Sequence, residues 1–269
     1  MPRKDQNEDM LPVSKLEKRT TDRALLYNRL EDLSLQRTGL GLHTRNLFLY
    51  LWAKNKGSVS CPGVRMPDMI AIHRGTPNQW MYTDNEGQLQ RRSPHHFHNR
   101  KLIQSTLSNA AVRANAGNTK RSAIKAVHVL EDGNVEKTGD ESEMGGQVRH
   151  LDAEGLENLL FSKGAARYLP DGLLQSFVSQ LSNSNVVLHA HWYPNFYYLF
   201  KTETALDCTT DWSLPAATGS PLPVEGGHLY NKVGRLCDTI FQHVREVSPQ
   251  SYNISHMKLH FKADAHGKL

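Results

Sequence analysis

His189 and His191 lie two residues apart, so an extended backbone would put both imidazoles on one face, and His256 with His260 repeats the arrangement near the C-terminus. Four imidazoles converging from neighbouring strands could hold a divalent cation, and the chemistry of such a centre would be hydrolysis by a bound water. The spacing falls short of a barrel-type metal site, which joins His-x-His to a nearby Glu and a later His. Here Glu203 follows His191 by twelve residues, out of frame. Leu188, Ala190 and Trp192 alternate with the two histidines, and the polar outer face of a half-buried strand explains that alternation without any ligand. No cofactor is expected.

The other candidates for chemistry are thinner. Cys61 has Arg65 close in sequence, which would favour a thiolate, with His43 or His73 as its base; burial as an inert thiol is the simpler reading. Asp171, Asp207 and Asp211 are scattered, and helix capping is enough to explain Asp171. GxSxG, GxxxxGK[ST], GxGxxG and HExxH are all absent. Three cysteines, Cys61, Cys208 and Cys237, are odd in number and without CxxC spacing, so neither a disulfide framework nor a zinc knuckle is expected.

Charge is more informative. Residues 1–140 hold 22 Lys and Arg against 14 Asp and Glu, a balance of +8, whereas residues 141–269 hold 10 against 13, a balance of −3. Between Gly87 and Leu130 there are eight cations and no acid: Arg91, Arg92, Arg100, Lys101, Arg113, Lys120, Arg121 and Lys125, with His95, His96, His98 and His128 among them. Such a stretch suits a polyanion, because neutralising phosphates or carboxylates needs charge density more than fixed geometry. A second binding signal is the aromatic cluster Trp192, Tyr193, Phe196, Tyr197, Tyr198 and Phe200. Strand alternation buries one set of these and exposes the other, and exposed Tyr and Trp are typical interface anchors; Trp192, Tyr193 and Tyr197 are taken as the interface candidates.

The elements that must position these residues follow from pattern. Residues 1–13 read as a disordered or partner-ordered tail. Ser14 and Glu17 form a capping box for a helix over 15–37, and 43–56 reads as a second, buried helix. Met69–Ile72 and Gln79–Tyr82 flank a hairpin turn; 87–124 reads as a long basic loop or arm with one short helix over 101–112; Asp132-Gly133 marks another hairpin, between 125–130 and 134–137. The glycine-bearing acidic stretch 139–150 is the expected linker between a basic N-terminal region, 14–138, and a C-terminal domain, 151–269. In that second part, helices are expected over 152–162 and after Asp171, an aromatic hairpin over 186–202, an amphipathic helix over 229–247, and a half-buried strand over 255–263. The turn signal after that strand predicts a returning strand and a chain continuing past Leu269.

The expectation is therefore an α+β protein, helices packed on antiparallel hairpins with a long basic arm. The longest apolar run, Leu47–Ala53, is seven residues, against the roughly 20 that span a bilayer, so no membrane partner is expected. The leading functional reading is a non-catalytic structural or adaptor component of a large assembly. Its arm would bind an acidic protein polymer such as tubulin, which implies a cytoplasmic place at the cytoskeleton or in a cilium. An RNA-binding component of a ribonucleoprotein such as a ribosome is the alternative. A metal-dependent hydrolase built on His189, His191, His256 and His260 is the third.

Overall fold

Met69-Ile-Ala-Ile-His73 is apolar on both of its alternating faces, and a strand of that kind needs cover on both sides. The computed structural model describes residues 44–114, 124–130, 148–161, 168–180, 184–205, 220–248, 252, 254–264 and 269, and it supplies that cover. Strand β1 (Met69–His73) pairs antiparallel with β2 (Thr76–Thr83) across the two-residue turn Arg74-Gly75, where φ is 52° and 76°. Positive φ at both positions matches the twist of a tight hairpin. Gly75 is obligatory there for a second reason: a Cβ would sit 2.4 Å from Cβ of Tyr168.

β3 (Leu89–Arg91), β4 (Ala126–Leu130), β5 (Val148–Leu151) and β6 (Gly172–Ser176) complete an antiparallel six-stranded sheet in the order β3-β2-β1-β6-β4-β5. One face carries Ile70, Ile72, Trp80, Ala126 and Leu174. It packs through Ile103, Leu107, Leu156 and Leu160 onto helices α2 (Arg100–Ala114) and α3 (Ala153–Phe161). Asp152 caps α3 as the sequence predicts, its Oδ1 accepting the Gly155 amide at 2.7 Å.

The opposite face, with Met69, Ala71, Met81, Leu89 and Leu173, shares a core with helices α1 (Thr44–Trp52) and α4 (Gly227–Val247). α1 packs on β3 and on α4, and α4 packs on β7. His243 of α4 ties the two helices together: its Nε2 donates to the Tyr50 and Ala53 carbonyls, each at 3.1 Å, where the end of α1 leaves acceptors without helical partners. The far side of α4 meets a second antiparallel sheet in the order β10-β7-β8-β9, built from β7 (Ser184–Tyr193), β8 (Phe196–Ala205), β9 (Leu222–Pro223) and β10 (Met257–Phe261). The α+β class is thus as expected, arranged as helix, sheet, helix and sheet.

Several expectations are corrected. Asp171 does not cap a helix: it accepts the Arg74 and Gly75 amides at 2.9 and 2.7 Å, and the run after it is strand β6. β6 lies between β1 and β4, with Leu173 in one core and Leu174 in the other, and a strand buried on both faces has the same continuous apolar run as a buried helix. The stretch 87–124 is not a long loop over its described part, because β3, a short 3-10 turn at Pro94–His96 and the fifteen-residue helix α2 occupy it. The partition at 139–150 cuts through the six-stranded sheet, since β1–β4 precede it and β5 and β6 follow it. Strand β4 pairs with β5 and β6, while the expected partner 134–137, the helix over 15–37 and the N-terminal tail lie outside the described residues.

Candidate binding face

The tight turn Pro194-Asn195 sets Tyr193 opposite Phe196 and thereby fixes the register of the whole β7–β8 hairpin. Odd-numbered residues of β7 then share a face with even-numbered residues of β8: His191 is opposite Tyr198, and His189 opposite Phe200. β10 adds Lys258 beside His191 and His260 beside His189. The inner face, with Leu188, Ala190, Trp192, Leu199 and Met257, is committed to the core.

The outer face carries a continuous array of eight rings. Phe196 stacks on Tyr193 at 4.5 Å and 15°, and Tyr193 stacks on His256 at 4.5 Å and 16°. His256 leads to His191 at 5.9 Å, which meets Tyr198 and Phe200; Phe200 stacks on His189 at 4.7 Å and 6°, and His189 meets His260 edge-on. Phe196 is 62% exposed and Tyr198 57%, which is uncommon for rings held on a regular strand. Along the paired positions of β7, β8 and β10 this face has no carboxylate.

The four histidines proposed as metal ligands do meet on this face, but as ring partners. His189 engages both of its nitrogens: Nε2 lies 2.8 Å from the Thr202 hydroxyl and Nδ1 lies 2.9 Å from Nδ1 of His260. Burial pushes His189 down to about 4, helped by His260 and His191, so it is neutral at pH 7. Among the described residues no three His, Cys, Asp or Glu side chains are placed to hold a metal. Lys262, just beyond β10, lies 4.1 Å over the Phe177 ring, and burial pushes its amine down to about 7.

The interface candidates divide by face. Tyr193 belongs to the ring array, whereas Trp192 is 3% exposed and donates from Nε1 to Asp238 at 2.8 Å. Tyr197 also points inward: its hydroxyl donates to the Tyr230 carbonyl at 3.0 Å while that of Tyr230 returns to the Tyr197 carbonyl at 2.8 Å. Phe196 and Tyr198 are the strongly exposed rings of the cluster. The parity set by the two-residue turn carries that information, and the composition of the cluster hides it.

No family model, curated protein or solved structure matches the chain.

The basic stretch is largely occupied with its own fold. The guanidinium of Arg91 lies 5.6 Å from the Trp52 ring and 6.0 Å from Phe97. That of Arg92 covers Trp80 at 4.6 Å and Tyr82 at 4.8 Å and approaches Asp68 at 3.5 Å. Arg100 donates to the Leu160 carbonyl at 2.6 Å, tying α2 to α3. Lys101 is exposed and Lys125 half-buried; Arg113 lies on α2, and Lys120 and Arg121 lie outside the described residues. Cys61 and Cys237 are buried, and burial pushes both thiols up to about 12, so Cys61 is no nucleophile. No helix among the described residues is long and apolar enough to cross a membrane.

Proposed function

We propose that this protein is a non-catalytic binding component of a larger assembly, that its partner is anionic, and that the outer face of the four-stranded sheet makes the contact. The observation that carries the reading is that face itself: two strongly exposed rings on the β7–β8 hairpin, an exposed Lys258 on β10 with β7 between, and no carboxylate at the paired positions. An open, rigid aromatic surface is a binding feature, because apolar area held in water is favourable only when something covers it. The sign of the flanking charge selects an anion.

The basic stretch 87–125 supports the same partner more weakly than its composition suggests, since Arg91, Arg92 and Arg100 hold aromatic rings and a helix end. Nothing in the fold favours a cytoskeletal or ciliary polymer over any other acidic surface.

The test measures binding of the purified chain to two probes, a single-stranded RNA oligonucleotide and polyglutamate, at low and moderate salt. At least one probe should bind, and Lys258→Glu should weaken that binding. Failure of both probes at low salt would overturn the reading, and so would full affinity in Lys258→Glu.

A further inference from the structure

Resting on the sheet face just described, we propose that the anionic partner is a single-stranded nucleic acid whose bases continue the stack that Phe196, Tyr193 and His256 begin. Each successive pair of these rings is parallel to within 16° at 4.5 Å spacing, and Phe196 ends the stack with most of its surface in water. An open flat ring at the end of a stack is the surface on which an unpaired base gains most, since every base has a π face and sequence matters little. Tyr198 is the second open ring, tilted by 34° against Phe200. It lies two residues along β8, about 6.6 Å at the rise of a strand, which spreads two bases along an extended chain.

Charge on the face agrees with this partner in sign and in amount. Exposed Lys258 lies directly across from His191, whereas Lys262, just beyond β10, is held over the Phe177 ring. An acidic protein surface would be matched by many cations and would have no use for stacked rings. Here the cations are few and the rings many, so stacking dominates and phosphate contact assists. The balance has a measurable signature. Each phosphate neutralised on a single strand contributes about 0.7 to the slope of log affinity against log salt, so Lys258 alone gives a slope near −0.7, whereas the eight cations of the basic stretch would give about −5.6.

The experiment titrates a fluorescent ten-nucleotide RNA, the same oligonucleotide with abasic sites, and polyglutamate against the wild type, the double variant Phe196→Ala/Tyr198→Ala, and the swap Phe196→Tyr/Tyr198→Phe. Both rings are exposed, so the substitutions leave the core intact, and circular dichroism checks this. The double variant should lose roughly ten- to a hundredfold affinity for the RNA, the swap should retain it, the abasic strand should bind as weakly as the double variant does, and the salt slope should lie near −0.7. If the double variant binds RNA like the wild type while polyglutamate binds through Lys258, the nucleic-acid inference falls and the anionic-partner reading stands. A salt slope near −5.6 moves the contact to the basic stretch and overturns the inference. If no probe binds, both fall together.

Discussion

His128 sits on β4 with no solvent exposure, on the sheet face that packs against α2 and α3. Burial pushes its imidazole down to about 4, the Pro170 carbonyl works against that shift, and Arg149 on the neighbouring strand adds to it. The folded value lies below the ordinary 6.5 of an exposed histidine, so between the two the unfolded chain binds the proton and the folded chain does not. The stability contributed by the neutral ring is therefore complete above pH 6.5 and is lost as pH falls toward 4. A separation of about 2.5 units gives roughly 3 kcal/mol over the whole range, of which about 2 kcal/mol is lost by pH 5. Urea unfolding followed by tryptophan fluorescence at pH 7 and pH 5 measures this directly. Wild type should lose about 2 kcal/mol more between the two pH values than His128→Leu, whose side chain cannot titrate. Equal losses in the two proteins would refute the reasoning, because they would show that His128 is protonated or hydrated without cost.

Gly172→Ala should destabilise the protein by about 3 kcal/mol or more, because φ is +147° and a Cβ would lie 2.1 Å from the Val129 carbonyl oxygen of β4; denaturant unfolding is the check. Gly234→Ala should displace the Tyr197 ring, 2.5 Å from where the Cβ would sit, and cost about 1–3 kcal/mol by the same assay. Arg92→Gln should lower stability by about 1 kcal/mol, through loss of the Trp80 and Tyr82 contacts, and leave oligonucleotide affinity unchanged; a binding defect at full stability would return Arg92 to the binding surface. Cys61 and Cys237 should resist an aromatic disulfide reagent in the folded protein and react in denaturant, as mass spectrometry of the labelled peptides would show.

How far the sequence reaches differs between elements for physical reasons. The β1–β2 and β7–β8 hairpins, the capped helix α3 and the amphipathic α4 were legible because each carries a local signal: a two-residue turn, an Asp at the cap, or a stripe through Val233, Cys237, Ile240 and Val244. β6 was misread because a strand buried on both faces loses its period, and only its pairing with β1 and β4, about a hundred and about fifty residues away, decides what it is. α2 was shortened because Asn, Ser and Ala conceal a stripe of few apolar residues, Ile103 and Leu107, that packing completes from other elements. At the candidate site the residue types were visible but not their use. Arg91 and Arg92 look like free charge in the sequence and prove to be lids over aromatic rings; the difference lies in contacts with Trp52, Phe97, Trp80 and Tyr82.

The central claim is that the partner sits on the ring-bearing face of the four-stranded sheet, and photocrosslinking tests it most directly. A 4-thiouridine oligonucleotide is irradiated with the full-length protein, and the crosslinked peptides are mapped by mass spectrometry. The crosslinks should fall on β8 and β10, at Phe196, Tyr198 and the neighbourhood of Lys258. Crosslinks confined to residues 87–125 would place the partner on the basic stretch and contradict the account.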